Sequence, residues 1–252
     1  MTTQTTIVSA FIANVNSDRD INYYLEFGLK FLLTPIHKIL FINEDIIIEL
    51  QKLIPDYYKQ YLHFISATLE DCYLYEYMQQ IHSFGISINA KKNTLNYMII
   101  MNNKLDFVKR AIEINFFNSS QFIWVDFGIS HINTGGFNDP FIQSILNLKN
   151  NIYNKVRIGS IWPANQQQEQ YFITEENIYD DISWVFAGGV FGGDIESLLK
   201  FENLSKIKCL KVIKEKGTIM WEVNIWYMIY LENKELFSLY NCDHNLSLIS
   251  EY

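Results

Sequence analysis

The chain has 252 residues, of which 49% are hydrophobic, and this is enough apolar material for one sizeable α/β core. Its formal net charge of −8 argues against nucleic-acid binding, because a phosphate backbone requires a basic face. The three cysteines are scattered and odd in number, so we expect reduced thiols in a cytoplasmic protein rather than a disulfide framework. No stretch reaches the roughly 20 apolar residues of a membrane span, which predicts a soluble protein.

The first part of the chain predicts alternating strands and helices. A β-branched run at 6–12 is typical of a buried strand, a helical pattern follows at 21–33, and a second apolar strand is predicted at 38–43. Strand, helix and strand in this order form a βαβ unit, which implies a parallel sheet with a right-handed crossover. Residues 44–61 predict one helix or two short ones, and 63–81 fit either a strand or a helix.

The rest of the chain continues the α/β pattern. Apolar residues recur at helical spacing over 102–115, and this helix leads into an apolar strand at 122–125. The remaining predicted elements are a glycine-containing loop at 128–136, a strand near 155–162, a strand and turn at 182–194, helices at 194–201 and 218–231, and a possible strand in the tail at 239–249. No linker, repeat or composition break divides the chain, so a single domain over 1–252 is the simplest organisation.

The stretch SSQFIWVDFGISHINTGG contains the first candidate for function. Its apolar strand ends directly in Asp126, and a carboxylate at the end of a buried strand is costly to desolvate without a cation, a metal or hydrogen-bond donors. In open α/β sheets, ligands bind beyond the carboxyl ends of the strands. Asp126 is therefore either a ligand-binding carboxylate or, more simply, the partner of a lysine.

Several segments resemble known glycosyltransferases. TTIVSAFIAN, MNNKLDFVKRAI and FIWVDFGISH resemble the successive blocks of the HtrL/YibB family, bacterial and viral proteins that are classed with the glycosyltransferases. SWVFAGGVFGGDIESL resembles the GGFFGG segment of the blood-group type α1,3-galactosyl and N-acetylgalactosaminyl transferases. Both resemblances imply a GT-A fold, which is a single Rossmann-like α/β domain with a mostly parallel central sheet flanked by helices.

The resemblance also implies a divalent metal, Mn²⁺ or Mg²⁺, that bridges the two phosphates of a nucleotide sugar. Asp126 matches the first position of the Asp-x-Asp motif that holds this metal, whereas Gly128 occupies the second position. His244, or else His131, is the candidate replacement for the missing aspartate. An imidazole ligand favours manganese over magnesium.

The donor and the reacting carbon are assigned to further residues by the same resemblance. Glu222 would be the carboxylate near the anomeric carbon, as a nucleophile or stabiliser in a retaining enzyme or as a base in an inverting one. A plainer interpretation of Glu222 is a solvated glutamate in the first turn of a helix. The residues predicted to contact the donor are Phe11, Arg19, Asn103, Lys104, Gly188, Gly189 and Trp221. Arg19 is included because it lies in the turn after the first strand, where it would bind a phosphate or else form a salt bridge.

The sequence thus predicts a metal-assisted hexosyltransferase that moves a sugar from a nucleotide donor, most simply a UDP-sugar, to a hydroxyl of a glycan or protein. Two alternatives stay open. One is a catalytically degenerate nucleotide-sugar-binding protein, or a nucleotide-sugar hydrolase, of the same fold. The other is a non-enzymatic interaction protein that assembles through its many aromatic residues. The donor sugar, the acceptor, the stereochemistry and the oligomeric state do not follow from the sequence.

Overall fold

Seven strands form one central sheet in the computed structural model, which describes residues 4–13, 21–87, 92–132, 140–162 and 177–252. The order across the sheet is β3-β2-β1-β5-β7-β6-β9, and a small second sheet pairs β4 with β8. The strands are β1 (Thr5–Phe11), β2 (Lys38–Ile42), β3 (Leu62–Ser66), β4 (Ser83–Phe84), β5 (Gln121–Val125), β6 (Val156–Ser160), β7 (Phe186–Asp194), β8 (Thr218–Ile219) and β9 (Phe237–Asn241).

Helices cover both faces of the central sheet. They are α1 (Ile21–Leu32), α2 (Glu44–Leu53), α3 (Asp56–Lys59), α4 (Leu95–Asn102), α5 (Lys104–Ile114), α6 (Pro140–Asn147), α7 (Ile195–Lys216), α8 (Glu222–Glu232) and α9 (Ser247–Ser250). No helix in the described ranges is long and apolar enough to cross a membrane.

Six of the seven central strands run parallel, and β7 alone is antiparallel to its neighbours β5 and β6. This confirms the predicted α/β class with a mostly parallel central sheet flanked by helices. Both faces of the sheet are covered, which explains why its strands are near-continuous apolar runs. Along β1, for example, Ile7 packs into the core on one face and Val8 into the core on the other.

The structure differs from the predicted elements in several places. The helix predicted at 102–115 is α5, which begins at Lys104, and a separate helix that was not predicted, α4, precedes it and ends at Asn102. The ambiguous segment at 63–81 contributes β3 and then short 3₁₀ turns. The helix predicted at 194–201 continues to Lys216 as α7, and the helix predicted from 218 begins at Glu222, after β8.

A turn was predicted within the glycine-rich segment AGGVFGG. The structure shows instead that this segment is the middle of β7. Gly192 is required there by close packing, because an added Cβ would lie 2.5 Å from the Phe122 carbonyl oxygen on the adjacent strand. The glycines therefore allow a nine-residue strand to lie between β5 and β6 with other groups pressed against its faces.

Candidate functional site

The candidate site lies where the strand order reverses. From β1 the chain moves outward through β2 and β3 on one side, whereas β5 and the later strands lie on the other side of β1. The gap between the carboxyl ends of β1 and β5 is therefore the topological switch point, where open α/β sheets bind their ligands. Asp126 directly follows β5 and Phe11 ends β1, so both lie at this point.

Three charged side chains meet beside this edge. The Lys104 Nζ atom is 3.2 Å from Asp126 Oδ1 and 3.1 Å from Glu222 Oε1. Because both carboxylate oxygens contact the same nitrogen, they lie within about 6 Å of each other. Nζ also donates a hydrogen bond of 2.9 Å to the Gly188 carbonyl oxygen. All three ammonium hydrogens thus have acceptors.

Burial differs sharply among the three members of this cluster, which we call the carboxylate–lysine cluster. The side chains of Lys104 and Glu222 are 3% and 6% exposed, whereas that of Asp126 is 41% exposed. Burial lowers the pKa of Lys104, but the attraction of the Asp126 and Glu222 carboxylates outweighs it, so the pKa lies above its ordinary value. Lys104 is therefore a permanent cation, and Asp126 is the member that a ligand can reach.

Asp126 is held in a fixed orientation. The Trp124 indole Nε1 donates a hydrogen bond of 2.7 Å to Asp126 Oδ1, and the two side chains share a face because they are two residues apart along an extended chain. The Asp126 backbone N–H donates to the Gly189 carbonyl oxygen at 3.0 Å. Oδ1 is thereby committed to Trp124 and Lys104, and Oδ2 is the oxygen left for a ligand.

Helices α5 and α8 bring the buried members of the cluster together. Lys104 is the first residue of α5 and Glu222 the first of α8. Asn102 at the end of α4 connects the two, because its amide donates to the Met220 carbonyl oxygen at 2.9 Å. Gly188 leaves the space that the ion pair occupies, since an added Cβ would lie 2.6 Å from Glu222 Oε1 and 3.3 Å from Lys104 Nζ.

This packing predicts different effects of alanine at two adjacent glycines. We expect Gly188→Ala to destabilise the protein by about 1–3 kcal/mol, because overpacking must displace the buried ion pair. Gly189→Ala is the matched control: its Cβ would meet the Ile129 Cδ1 atom at 3.3 Å, and a side-chain end can shift. Urea denaturation of both variants measures the difference, and equal losses would contradict the packing account.

Comparison with known proteins gives a family. The model described as "Bacterial protein of unknown function (HtrL_YibB)" matches residues 31–245, which is most of the chain. The chain belongs to the HtrL_YibB family. This confirms the family predicted from the sequence blocks, and it leaves the activity open because the family description states none.

Solved structures add little to this assignment for the HtrL_YibB chain. The structure of 4-diphosphocytidyl-2C-methyl-D-erythritol synthase from Anaerococcus prevotii DSM 20548 is similar over 99% of this chain and 94% of that chain, with 10% sequence identity and a TM-score of 0.45. A likeness of this strength carries no information about activity. No curated protein sequence matches the chain.

Several residues predicted to contact a donor are buried in this HtrL_YibB chain. Lys104 has no hydrogen left for a phosphate, and Asn103, which is fully buried, accepts a hydrogen bond from the Tyr73 backbone N–H at 3.0 Å. Trp221 is 4% exposed, and its ring lies against Gly85 and Tyr97. These positions favour structural roles, and the burial of Trp221 argues against the predicted stacking on a sugar.

Two other residues predicted to contact the donor are partly accessible, and a third lies outside the described residues. Phe11 is half-buried and stacks on Phe127 with a centroid distance of 5.1 Å and an interplanar angle of 6°. The Tyr24 ring packs against the Phe11 ring with a centroid distance of 4.9 Å, so an aromatic group borders the switch point. Gly189 lies beside Asp126, whose Oδ2 would be 3.7 Å from an added Cβ. Arg19 lies outside the described residues.

In the part of the chain that the structure describes, neither predicted histidine ligand forms an ion pair or a hydrogen bond with Asp126. His244 follows β9, which lies three strands from β5, a lateral distance of about 14 Å at the usual strand spacing. Its ring packs edge-on against Trp184 at 4.4 Å. His131 is exposed, and its Nδ1 is 2.6 Å from the Gly128 carbonyl oxygen.

The described side chains do not form a complete set of metal ligands. Within the described ranges, no group of three or more His, Cys, Asp or Glu side chains could hold a metal ion. Oδ2 of Asp126 is the accessible carboxylate oxygen of the carboxylate–lysine cluster, so any metal there would depend on oxygens of the ligand itself for most of its coordination. The metal remains a prediction.

Two residues of the site were missed in the sequence. Trp124 orients Asp126, and the two-residue spacing along a predicted strand could have indicated that contact. Asn102 connects α4 to the turn before α8, across 118 residues of sequence. No local pattern in the chain could have indicated the second contact.

Proposed function

We propose that the protein is a glycosyltransferase, in particular a hexosyltransferase, that binds a nucleotide sugar at the switch point between β1 and β5. The observation that carries this proposal is the position of Asp126, a half-exposed carboxylate fixed by Lys104 and Trp124 at the carboxyl end of a central strand. The local resemblance to sugar transferases at the block around Asp126 and at β7 supports the same interpretation.

The charge of the site indicates that a further cation is required to bind the donor. Lys104 is shared between two carboxylates, so the carboxylate–lysine cluster has a formal charge of −1 and offers no positive charge to a diphosphate. A diphosphate binds here only if another cation accompanies it. The proposed sources are a divalent metal, for which Asp126 Oδ2 is the protein ligand, and Arg19. Such a metal would stabilise the charge that develops on the departing diphosphate.

We assign different tasks to the two carboxylates. Asp126 faces the ligand and binds or positions the diphosphate end of the donor. Glu222 is nearly fully buried and contacts Lys104, so we assign it a positioning role: it holds the ammonium, and the ammonium holds Asp126. The half-buried Phe11 ring offers an apolar surface for the nucleobase. The donor in this proposal is a UDP-sugar and the acceptor a hydroxyl of a glycan or protein.

The experiment is a UDP-release assay with UDP-glucose and UDP-galactose, with manganese and with or without a panel of sugar acceptors. Release that increases when an acceptor is added supports a transferase. Release that is equally fast without any acceptor identifies a nucleotide-sugar hydrolase. Binding without release under all conditions identifies the degenerate binding protein.

A further inference from the structure

Strand β3 is an edge of the central sheet and is separated from β1 by β2. It pairs with β2 on one side, and among the described residues no strand pairs with its other side. Its side chains are half-buried to exposed, unlike the fully buried β2 beside it. An uncovered edge strand is a template for pairing with another chain unless charges, prolines or bulges protect it.

The free backbone groups of β3 can be assigned from its bonds to β2. Lys38 N–H donates to the Tyr61 carbonyl oxygen, and Ala67 N–H donates to the Ile42 carbonyl oxygen. Alternate residues of a strand face the same neighbour, so the odd-numbered residues from 61 to 67 bond β2. The N–H and C=O groups of Leu62, Phe64 and Ser66 therefore point outward.

A series of aromatic rings in contact with one another lies beside β3. Successive ring centroids are 4.1–6.0 Å apart, within the range of favourable aromatic pairs. In order of contact the rings are Tyr58, Tyr57, Tyr61, His37, Phe117, Phe116 and His63. Tyr57 and Phe116 are 59% and 56% exposed, which is unusual for such large apolar side chains. We call this set and β3 the aromatic edge.

The aromatic edge lacks the charges that would keep two copies apart. Residues 60–69 contain no acidic residue, lysine or arginine, although the whole chain carries a net charge of −8. Burial lowers the pKa of His63, and burial together with the neighbouring Lys38 lowers the pKa of His37. Both lowered pKa values favour the neutral imidazole, and both rings stack on phenylalanines.

We propose that the aromatic edge binds a second copy of this chain through antiparallel pairing of the two β3 strands. A two-fold axis at Phe64 would pair Phe64 with its own copy and Leu62 with Ser66, which are the residues whose backbone groups point outward. The edge is thus self-complementary in backbone hydrogen bonding, it carries no acidic residue, lysine or arginine over residues 60–69 that would repel a second copy, and pairing it would join two sheets into one.

Sedimentation equilibrium over a wide concentration range tests this proposal. We expect a mass approaching twice the 29.7 kDa of one chain. Phe116→Glu should raise the dimer Kd by about tenfold or more, because it adds like charges across the axis. Ser66→Pro should also raise the dimer Kd, because it removes an outward N–H group. The variant should still fold, since proline is tolerated on an edge strand. Ser66→Ala retains that group and should dimerise normally.

Ile152→Glu is the control for a general effect of surface charge. Ile152 is 61% exposed and lies between α6 and β6, away from β3. Circular dichroism of each variant verifies that the chain is folded. A protein that is monomeric at every concentration overturns the proposal. So does a dimer that Phe116→Glu and Ser66→Pro leave unchanged, or one that Ile152→Glu weakens equally.

Discussion

Lys104→Met is expected to lower the free energy of unfolding by about 3–5 kcal/mol, because it leaves a buried carboxylate without its cation. Glu222 is only 6% exposed, and its Oε2 atom has no hydrogen-bond partner among the described residues. Its charge therefore depends on the single ammonium of Lys104. Urea denaturation at neutral pH measures the loss, since the variant keeps the volume of the side chain and removes the charge.

The control for this prediction is Lys208→Met. Lys208 Nζ lies 2.6 Å from Glu232, which is 60% exposed, and such pairs contribute at most about 1 kcal/mol. The double variant Lys104→Met with Glu222→Gln should recover much of the stability, because it removes both buried charges. Equal losses for Lys104→Met and Lys208→Met would contradict the assigned role of Lys104.

Asp126→Asn is expected to lower the rate of UDP release by about 10²–10³-fold, as removal of one well-placed electrostatic group does in other enzymes. Asparagine keeps the shape of the side chain and can still contact Trp124 and Lys104, but it carries no charge to hold a cation or orient a diphosphate. Because Asp126 is one of the two charged partners of the buried Lys104, the free energy of unfolding should also fall, but by less than in Lys104→Met, since Lys104 and Glu222 stay paired.

Glu235→Gln provides the comparison for Asp126→Asn. Glu235 is an exposed carboxylate just before β9, at the amino end of the parallel strands and so opposite the switch point, and its variant should retain full activity. Thermal unfolding of both variants separates loss of function from loss of fold. Full activity of Asp126→Asn would remove Asp126 from the reaction and leave it as the partner of a buried lysine.

The sequence located Asp126 because the signal is local. An apolar strand that ends in a carboxylate requires a compensating group, and the βαβ pattern places that strand end at the edge where ligands bind. The cation that pairs with Asp126, Lys104, could not be identified from a local pattern. Lys104 contacts Glu222 across 118 residues, and such a pairing is decided by how α5 and α8 pack, not by any spacing in the chain.

Two errors in the predicted elements have physical causes. Helix α4 was missed because apolar residues lie on all of its sides, so it lacks a polar face. The Thr94 hydroxyl, which accepts a hydrogen bond from the Tyr97 N–H at 3.2 Å, is the capping signal that could have indicated it. The strand β7 was expected to turn at its glycines, whereas close contacts with Glu222 and with β5 explain Gly188 and Gly192.

The most direct test of the central claim is a thermal shift with UDP, GDP, UDP-glucose and UDP-galactose, each with and without manganese. A ligand at about 100 times its Kd adds roughly 2.7 kcal/mol, and a chain of this size shifts by about 2–4 °C per kcal/mol. We expect a manganese-dependent rise in Tm with one nucleotide or nucleotide sugar, and its loss in Asp126→Asn. Unchanged Tm values with every nucleotide, or a rise that Asp126→Asn retains in full, would contradict a nucleotide-sugar site at Asp126.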